Sequence, residues 1–332
     1  MNMIELKRME RLYDALQHYT EKYLTYRKRK KAERIEKQKH VNQLVDWIKS
    51  FLWAAMVVLI INQYLFQAYM IPSGSMMNTL LIKDRLFVNK FSYGPELIPG
   101  MCKLPGIKSP KRGDIIIFES PTYLSKGSIF DITQRILYML TLSMVDIDKD
   151  SYGEPKAHFL IKRAVGAGGD RIRFRNGNME IRPAGAPDWI KEADFRQQGC
   201  VPAAVRRLVA DSDYPLIKRA GEAGALYDHG FDISAQERAV IKNLDSSNVD
   251  NLAFAEYRNR MNHVMDPSDT ASRTAWRKSA EGWYIPEGYI FPLGDNRDNS
   301  RDARYFGPVQ KSKVLGQAFI IYWPLDRAGI VR

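Results

Sequence analysis

The sequence predicts a mainly β protein: an antiparallel β domain carried on one N-terminal transmembrane helix and interrupted by an inserted α+β subdomain. Three observations carry this reading. Residues 51–71 run for 21 positions without a charge, and 18 of them are apolar or aromatic. Short β-branched runs separated by Gly and Pro follow. A polar, weakly periodic stretch over about 184–280 then breaks the pattern before strands resume.

A 21-residue helix rises about 31 Å, enough to cross a hydrocarbon core of about 30 Å. Trp53 and Tyr69 stand near its ends, where interfacial anchors belong. Asn62, Gln63 and Gln67 weaken its second half, and Pro72 stops it. The chain has 50 Lys or Arg against 38 Asp or Glu, a net charge of +12, and residues 1–50 hold 13 against 7. Half the excess therefore precedes the span, including the run Arg27-Lys28-Arg29-Lys30-Lys31. This bias predicts a single-pass protein with residues 1–50 as a cytoplasmic basic helical segment and everything after 71 outside. A cleavable secretory signal is disfavoured, because the span is too long and starts too late. The positive charge meets anionic lipid headgroups, and no aromatic-basic platform points to nucleic acid.

The outer part reads as strands at 85–89, 114–118, 159–165, 170–174, 289–291 and 318–322. Turn signals such as Arg112-Gly113-Asp114 and Gly168-Gly169-Asp170 separate them, so the strands form an antiparallel sheet and not βαβ units. The β domain is expected over 72–183 and 281–332, with 184–280 inserted. The apolar segment 129–145 is too short to span and belongs either to the core or to the membrane surface. Two cysteines exclude a disulfide-dense scaffold and a four-cysteine zinc site, and spacing does not decide whether Cys102 and Cys200 pair.

Three stretches carry chemistry. Directly after the span, Ser73-Gly74-Ser75 is a small turn that exposes a hydroxyl beside backbone N–H groups, which suits a nucleophile next to an oxyanion hole. None of the five histidines sits in a recognisable triad context. A lysine serves as base where desolvation keeps it neutral near pH 7. Lys162 fits, because its same-face neighbours in a strand are Leu160 and Ala164. The third stretch, 293–304, packs carboxylates and guanidinium groups into a loop stiff enough to orient a site, with Ser300 placed to hydrogen-bond the lysine amine.

Together these stretches resemble bacterial type I signal peptidase, the membrane-bound leader peptidase. The family's Ser-Gly-Ser-Met-x-Pro-Thr-Leu box is matched from Ser73 to Leu80, with Asn78 at the proline position. Its lysine box resembles Ile161-Lys162-Arg163-Ala164-Val165-Gly166, and its Gly-Asp-Asn-Arg-Asp-Asn-Ser-x-Asp-Ser-Arg box matches 294–304, with Ala303 at the second serine position. Arg112-Gly113-Asp114 and Trp283-Tyr284-Ile285-Pro286-Glu287-Gly288 fit two flanking segments. The likeness covers about 72–120, 157–183 and 283–324.

The resemblance implies a Ser/Lys-dyad endopeptidase in the bacterial inner membrane that cuts signal peptides from exported preproteins after small residues. Ser75 is then the nucleophile and Lys162 the general base. Ser73 helps form the oxyanion hole, Ser300 orients the lysine, and Asp295, Asp302 and Arg304 brace the site. Tyr69, Ile71, Met76, Leu80, Leu160 and Ile161 are the expected substrate-pocket residues. No cofactor or metal is implied. The expected partners are signal peptides, the lipid bilayer and export machinery. Three alternatives remain at this point: a non-catalytic membrane-anchored β domain that binds exported chains, a mitochondrial-type inner-membrane peptidase, and a repressor-type autoprotease.

Overall fold

A computed structural model describes residues 3–39, 43–98, 102–141, 144–149, 158–197, 205–242 and 249–331. The chain divides into two compact units, Met1–Val57 and Val58–Arg332. The first holds a long polar helix, Met3–Lys39, and the beginning of a second helix, Gln43–Tyr64. Both cysteine positions lie outside the residues whose side chains are described.

The helix Gln43–Tyr64 has 22 residues, about 33 Å of rise, and is long and apolar enough to cross a membrane. Many of its apolar side chains, among them Leu44, Trp47, Phe51, Leu52 and Trp53, are exposed. The expected helix over 51–71 is thus displaced toward the N-terminus. It ends at Tyr64, well before Pro72, and the chain passes into the edge strand Phe66–Met70. Tyr69, read as an interfacial anchor, is only 3% exposed inside the β domain. An apolar run gives a lipid-facing helix and a core-facing strand the same composition; pairing with Arg85–Asn89 decides which part is which. The amides that weakened the hydropathy finish the helix. Asn62 Nδ2 donates to the Val58 carbonyl at 3.0 Å and Gln63 Nε2 to the Glu96 carbonyl at 2.7 Å.

The main sheet is antiparallel, in the order Phe66–Met70, Arg85–Asn89, Val314–Trp323, Ile115–Glu119, Phe159–Ala167, Tyr289–Leu293 and Val309–Gln310, with Gly329–Ile330 added to Val314–Trp323. Ile115, Ile116, Ile117 and Phe118 are all buried, because both faces of this central strand are covered. One face packs Tyr69, Ile71, Met76, Leu80, Leu86 and Val88 together. The other packs Ile116, Phe118, Ala164 and Ile290. A smaller antiparallel sheet, Trp283–Tyr284, Arg171–Arg175, Asn178–Arg182 and Ile190–Lys191, buries Ile172, Met179 and Ile181 against Phe291 and Leu293.

The inserted segment is helical where it is described, with Tyr214–Asp228, Ala235–Lys242, Asn251–Met265 and Thr270–Glu281 as its main elements. Its single strand, Ile190–Lys191, belongs to the smaller sheet. Asp250 and Asp269 cap two of these helices through backbone N–H groups, which their sequence positions before helical runs permit. The insert keeps its own core of Tyr214, Ile217, Ala220 and Phe254.

Candidate active site

Strand periodicity places Lys162 on the face toward the Ser73–Leu80 turn. The register Ile116 to Lys162 holds it against the most buried strand of the sheet. Lys162 is 3% exposed, and its Nζ donates to Ser75 Oγ at 2.7 Å and to the Ile161 carbonyl at 3.0 Å. Burial pulls its ammonium down from the ordinary lysine value to about 8; Asp302 and Asp295 oppose that shift and Arg304 adds to it.

Ser75 sits in a single 3-10 turn, Gly74–Met76, and is partly exposed to a cleft. Ser73 precedes that turn with an exposed side chain that makes no capping hydrogen bond. Asn78 follows at φ +88°, a left-handed conformation that asparagine tolerates and that proline's fixed φ near −65° forbids. Proline could not occupy position 78 in the turn formed here.

The 294–304 loop is fastened to the nucleophile turn by backbone. Asn296 N–H donates to the Ser75 carbonyl at 3.1 Å, and its Nδ2 to the Gly74 carbonyl at 3.0 Å. Asp295 accepts from Arg163 Nε and Nη2, each at 2.9 Å, and from Thr79 Oγ1 at 2.6 Å. Asp302 accepts from the Gly294 N–H at 3.0 Å and from Arg304 Nε at 2.8 Å. Burial alone raises the Asp302 carboxyl, but Arg304 and the Gly294 N–H outweigh it and hold it below the usual carboxylate range.

Ser300 departs from expectation. Its hydroxyl is buried and has no hydrogen-bond partner among the described residues, the Lys162 amine included. It lies against Gly294, where an added Cβ would come within 2.2 Å of Ser300 Oγ and 2.6 Å of the Ser75 carbonyl. A glycine is required there because two backbone segments meet with no room for a side chain. The lysine's second contact is supplied by its own strand.

A cleft of about 440 Å³ opens beside Ser75 and Lys162. Tyr69, Ile71, Met76, Leu160 and Ile161 line it with Ser73, as do Gln134, Tyr138 and His158. Leu80 does not; it is fully buried in the core beneath. His158 lies 2.7 Å from Asp148 through Nε2, and burial keeps its imidazole below the ordinary histidine value. No group of three or more metal-ligating side chains occurs among the described residues.

Several supporting residues were not singled out from sequence. Arg163 points away from Lys162 in the strand pattern, yet it is 1% exposed and carries the Asp295 carboxylate. Arg297 donates to Glu192 at 2.5 Å and to the Gly294 carbonyl at 3.0 Å. Asp298 accepts from Arg207 Nε at 3.1 Å and from two backbone N–H groups at 208 and 209. Arg206 exchanges backbone hydrogen bonds with Asp295 and Arg297. The chain entering the insert thus braces the loop. Only the arginine-carboxylate density of 295–304 hinted at this.

A serine hydroxyl bonded to a buried, poorly solvated lysine, with no histidine between them, is the arrangement of a serine hydrolase that uses lysine as base. The family model described as signal peptidase, peptidase S26, matches residues 44–323, and the chain belongs to that family. Membership makes it a peptidase. Signal peptidase I of Buchnera aphidicola (subspecies Acyrthosiphon pisum) is 26% identical over 297 residues, covering 89% of this chain and 80% of that protein. Signal peptidase I of Haemophilus influenzae is 26% identical over 295 residues, covering 86% and 72%. Signal peptidase I of Pseudomonas aeruginosa is 26% identical over 302 residues, covering 87% and 77%.

Proposed function

We propose that this protein is a membrane-anchored serine endopeptidase that removes N-terminal signal peptides from exported preproteins, with Ser75 as nucleophile and Lys162 as general base. The observation that carries the reading is the 2.7 Å contact between Lys162 Nζ and Ser75 Oγ at the wall of an apolar cleft. Neutral Lys162 takes the Ser75 proton as Oγ adds to the scissile carbonyl. The resulting ammonium returns that proton to the leaving amine, which is the new N-terminus of the mature chain. An acyl-enzyme on Ser75 remains, and Lys162 then activates water to release the signal peptide.

The oxyanion is assigned to the Ser75 N–H and the Ser73 hydroxyl, whose freedom from capping leaves it available. Ser300, buried against Gly294, makes no hydrogen bond to the lysine and is left out of the catalytic assignment. Asp295, Asp302 and Arg304 keep the loop rigid. The cleft walls at Tyr69, Ile71, Met76, Leu160 and Ile161 leave space for small side chains before the cut and reject large ones. The helix Gln43–Tyr64 crosses the bacterial inner membrane once, with the basic N-terminal helix in the cytoplasm and the β domain outside. Export machinery that delivers preproteins to the outer face is the expected neighbour.

The test is processing of a preprotein by purified Ser75→Ala and Lys162→Ala variants. Each is expected to lower the rate by about 10³-fold or more while circular dichroism stays unchanged. Cleavage by either variant at a rate near that of the unmodified enzyme would overturn the dyad.

A further inference from the structure

The cleft beside Ser75 does not end at the apolar walls assigned above. Its lining also includes Gln134, Asp146, Lys149 and His158, all polar or ionisable. Gln134, Asp146 and Lys149 lie between the strands Ile115–Glu119 and Phe159–Ala167, outside the stretches that carry the family motifs. Gln134 comes from the helix Ser128–Leu140 and is 2% exposed, whereas Ile129 of the same helix is 84% exposed. A buried amide in a helix of apolar residues calls for partners on the inside.

Only half of that amide has one. Gln134 Nε2 donates to Asp146 Oδ1 at 2.8 Å, which fixes how the amide is turned. Gln134 Oε1 is buried and has no hydrogen-bond partner among the described residues. The Asp148 N–H donates to the same Asp146 oxygen, Oδ1, at 2.9 Å. This end of the cleft therefore presents acceptors, and a buried acceptor without a donor costs free energy that an arriving donor restores. The nearby charges are already matched. Asp148 pairs with Lys126 at 2.5 Å and with His158 Nε2 at 2.7 Å, and Asp146 shares the cleft lining with Lys149. An added positive charge would meet no unmatched carboxylate, so the fitting ligand is an uncharged donor, a hydroxyl or a carboxamide.

The strand sets the distance from the cut. His158 and Lys162 are four residues apart in one extended segment, because the Ser120 N–H donates to the His158 carbonyl at 2.9 Å and continues the pairing of Phe159–Ala167 with Ile115–Glu119. Four extended residues span about 13 Å. A substrate lying extended along the cleft, with its cleaved bond at Ser75, covers that distance in four residues. Every second side chain then turns to the same wall, so positions one, three and five before the cut face the enzyme. We propose that Gln134 and Asp146 form a polar subsite for the fifth residue before the cut and select serine, threonine, asparagine or glutamine there. The proposal rests on the assignment of Ser75 and Lys162 above and deepens it. The apolar walls select by size; this subsite selects by hydrogen bonding.

The test uses the full chain purified in detergent and short soluble peptides with small residues before the cut and Thr or Val at the fifth position. Thr and Val share a shape and differ by one hydroxyl. The Thr peptide is expected to show a kcat/KM about fivefold or more above the Val peptide. The same exchange at the fourth or sixth position should change kcat/KM by less than about twofold. In Gln134→Met the ratio at the fifth position is expected to fall to within about twofold of one, whatever the absolute rates. A ratio near one in the unmodified enzyme overturns the subsite, and that result stands whether or not the variant folds. A preference that survives Gln134→Met overturns the assignment to Gln134. A Lys peptide cleaved faster than the Thr peptide overturns the choice of an uncharged donor. Ser75→Ala on the same peptides keeps the two readings apart. Cleavage that persists there breaks the dyad, whereas equal rates for Thr and Val that Ser75→Ala abolishes break the subsite alone.

Discussion

Among its described residues the β domain buries two lysines, and both are pulled down to about 8 by burial, yet they sit in regions built for different work. Lys90 lies at the end of the strand Arg85–Asn89, beside the last turn of the helix Gln43–Tyr64. Its N–H donates to the Leu65 carbonyl at 2.9 Å, and its ammonium reaches the Asn62 carbonyl at 3.5 Å. Backbone carbonyls at a helix C-terminus are acceptors, so this amine caps a helix. Lys162 is equally buried, but its partner is a hydroxyl that can give up a proton, and that hydroxyl faces a cleft. A low amine pKa is thus a consequence of burial in both regions. Reactivity comes from what the amine touches and whether a substrate reaches it.

The sharpest way to break this comparison is to remove each amine in turn. Lys162→Ala is expected to cost about 10³-fold or more in kcat/KM, whereas Lys90→Met leaves cleavage of a short soluble peptide within about threefold. A large loss of peptide cleavage in Lys90→Met would show that the junction and the cleft are one functional unit. Next in size is Gly294→Ala, which forces Ser300 and the Ser75 carbonyl apart; steady-state kinetics should show a loss of about 10- to 100-fold. Ala at Gly329, where an added Cβ meets nothing within 4 Å and the backbone is not left-handed, is the control.

The pH profile separates the two lysines without changing the site. Only neutral Lys162 accepts a proton, so kcat/KM should rise about tenfold per pH unit below 8 and level off above it. Lys90→Met should keep that limb in place. The smallest effect concerns stability. Between about 8 and 10.5 the unfolded chain binds more protons at Lys162 than the folded chain, so stability rises with pH across that window and the full penalty applies below it. Lys162→Met should therefore stabilise the protein by about 1–3 kcal/mol at pH 7, measured by denaturant unfolding in detergent, with the gain fading toward pH 10.5.

The insert offers a second contrast with the catalytic sheet. Its polar, irregular sequence suggested an inserted subdomain; its helices gather a cluster around Tyr214, Ile217 and Phe254 inside the compact unit that also holds the sheets. Arg206 and Arg207 reach the loop that carries Asp295 and Asp298 over some 90 residues of sequence, through two main-chain hydrogen bonds and one carboxylate. Local pattern carries no information on such a pairing, because any arginine next to any exposed carbonyl reads the same way.

Much of the site is legible in the sequence. Ser75, Lys162 and the 294–304 loop are identifiable from residue types, order and the family resemblance, and the alternation Leu160, Lys162, Ala164 places the lysine on an apolar face. The strands are recognisable because β-branched runs between Gly and Pro have few other solutions. The end of the helix Gln43–Tyr64 is not, since the uncharged run continues from the helix into the strand Phe66–Met70. Nor is the idle hydroxyl of Ser300, the burial of Leu80 under the cleft, or the role of Arg163. Periodicity and composition are local quantities, and they located most of the strands and the topology expected across the membrane, while the candidate reactive residues came from motif order and the family resemblance. Register, close approach and burial depend on segments far apart in sequence, and only the packed sheet decided that Lys162 meets Ser75, that Lys90 meets a carbonyl, and that each amine therefore does what it does.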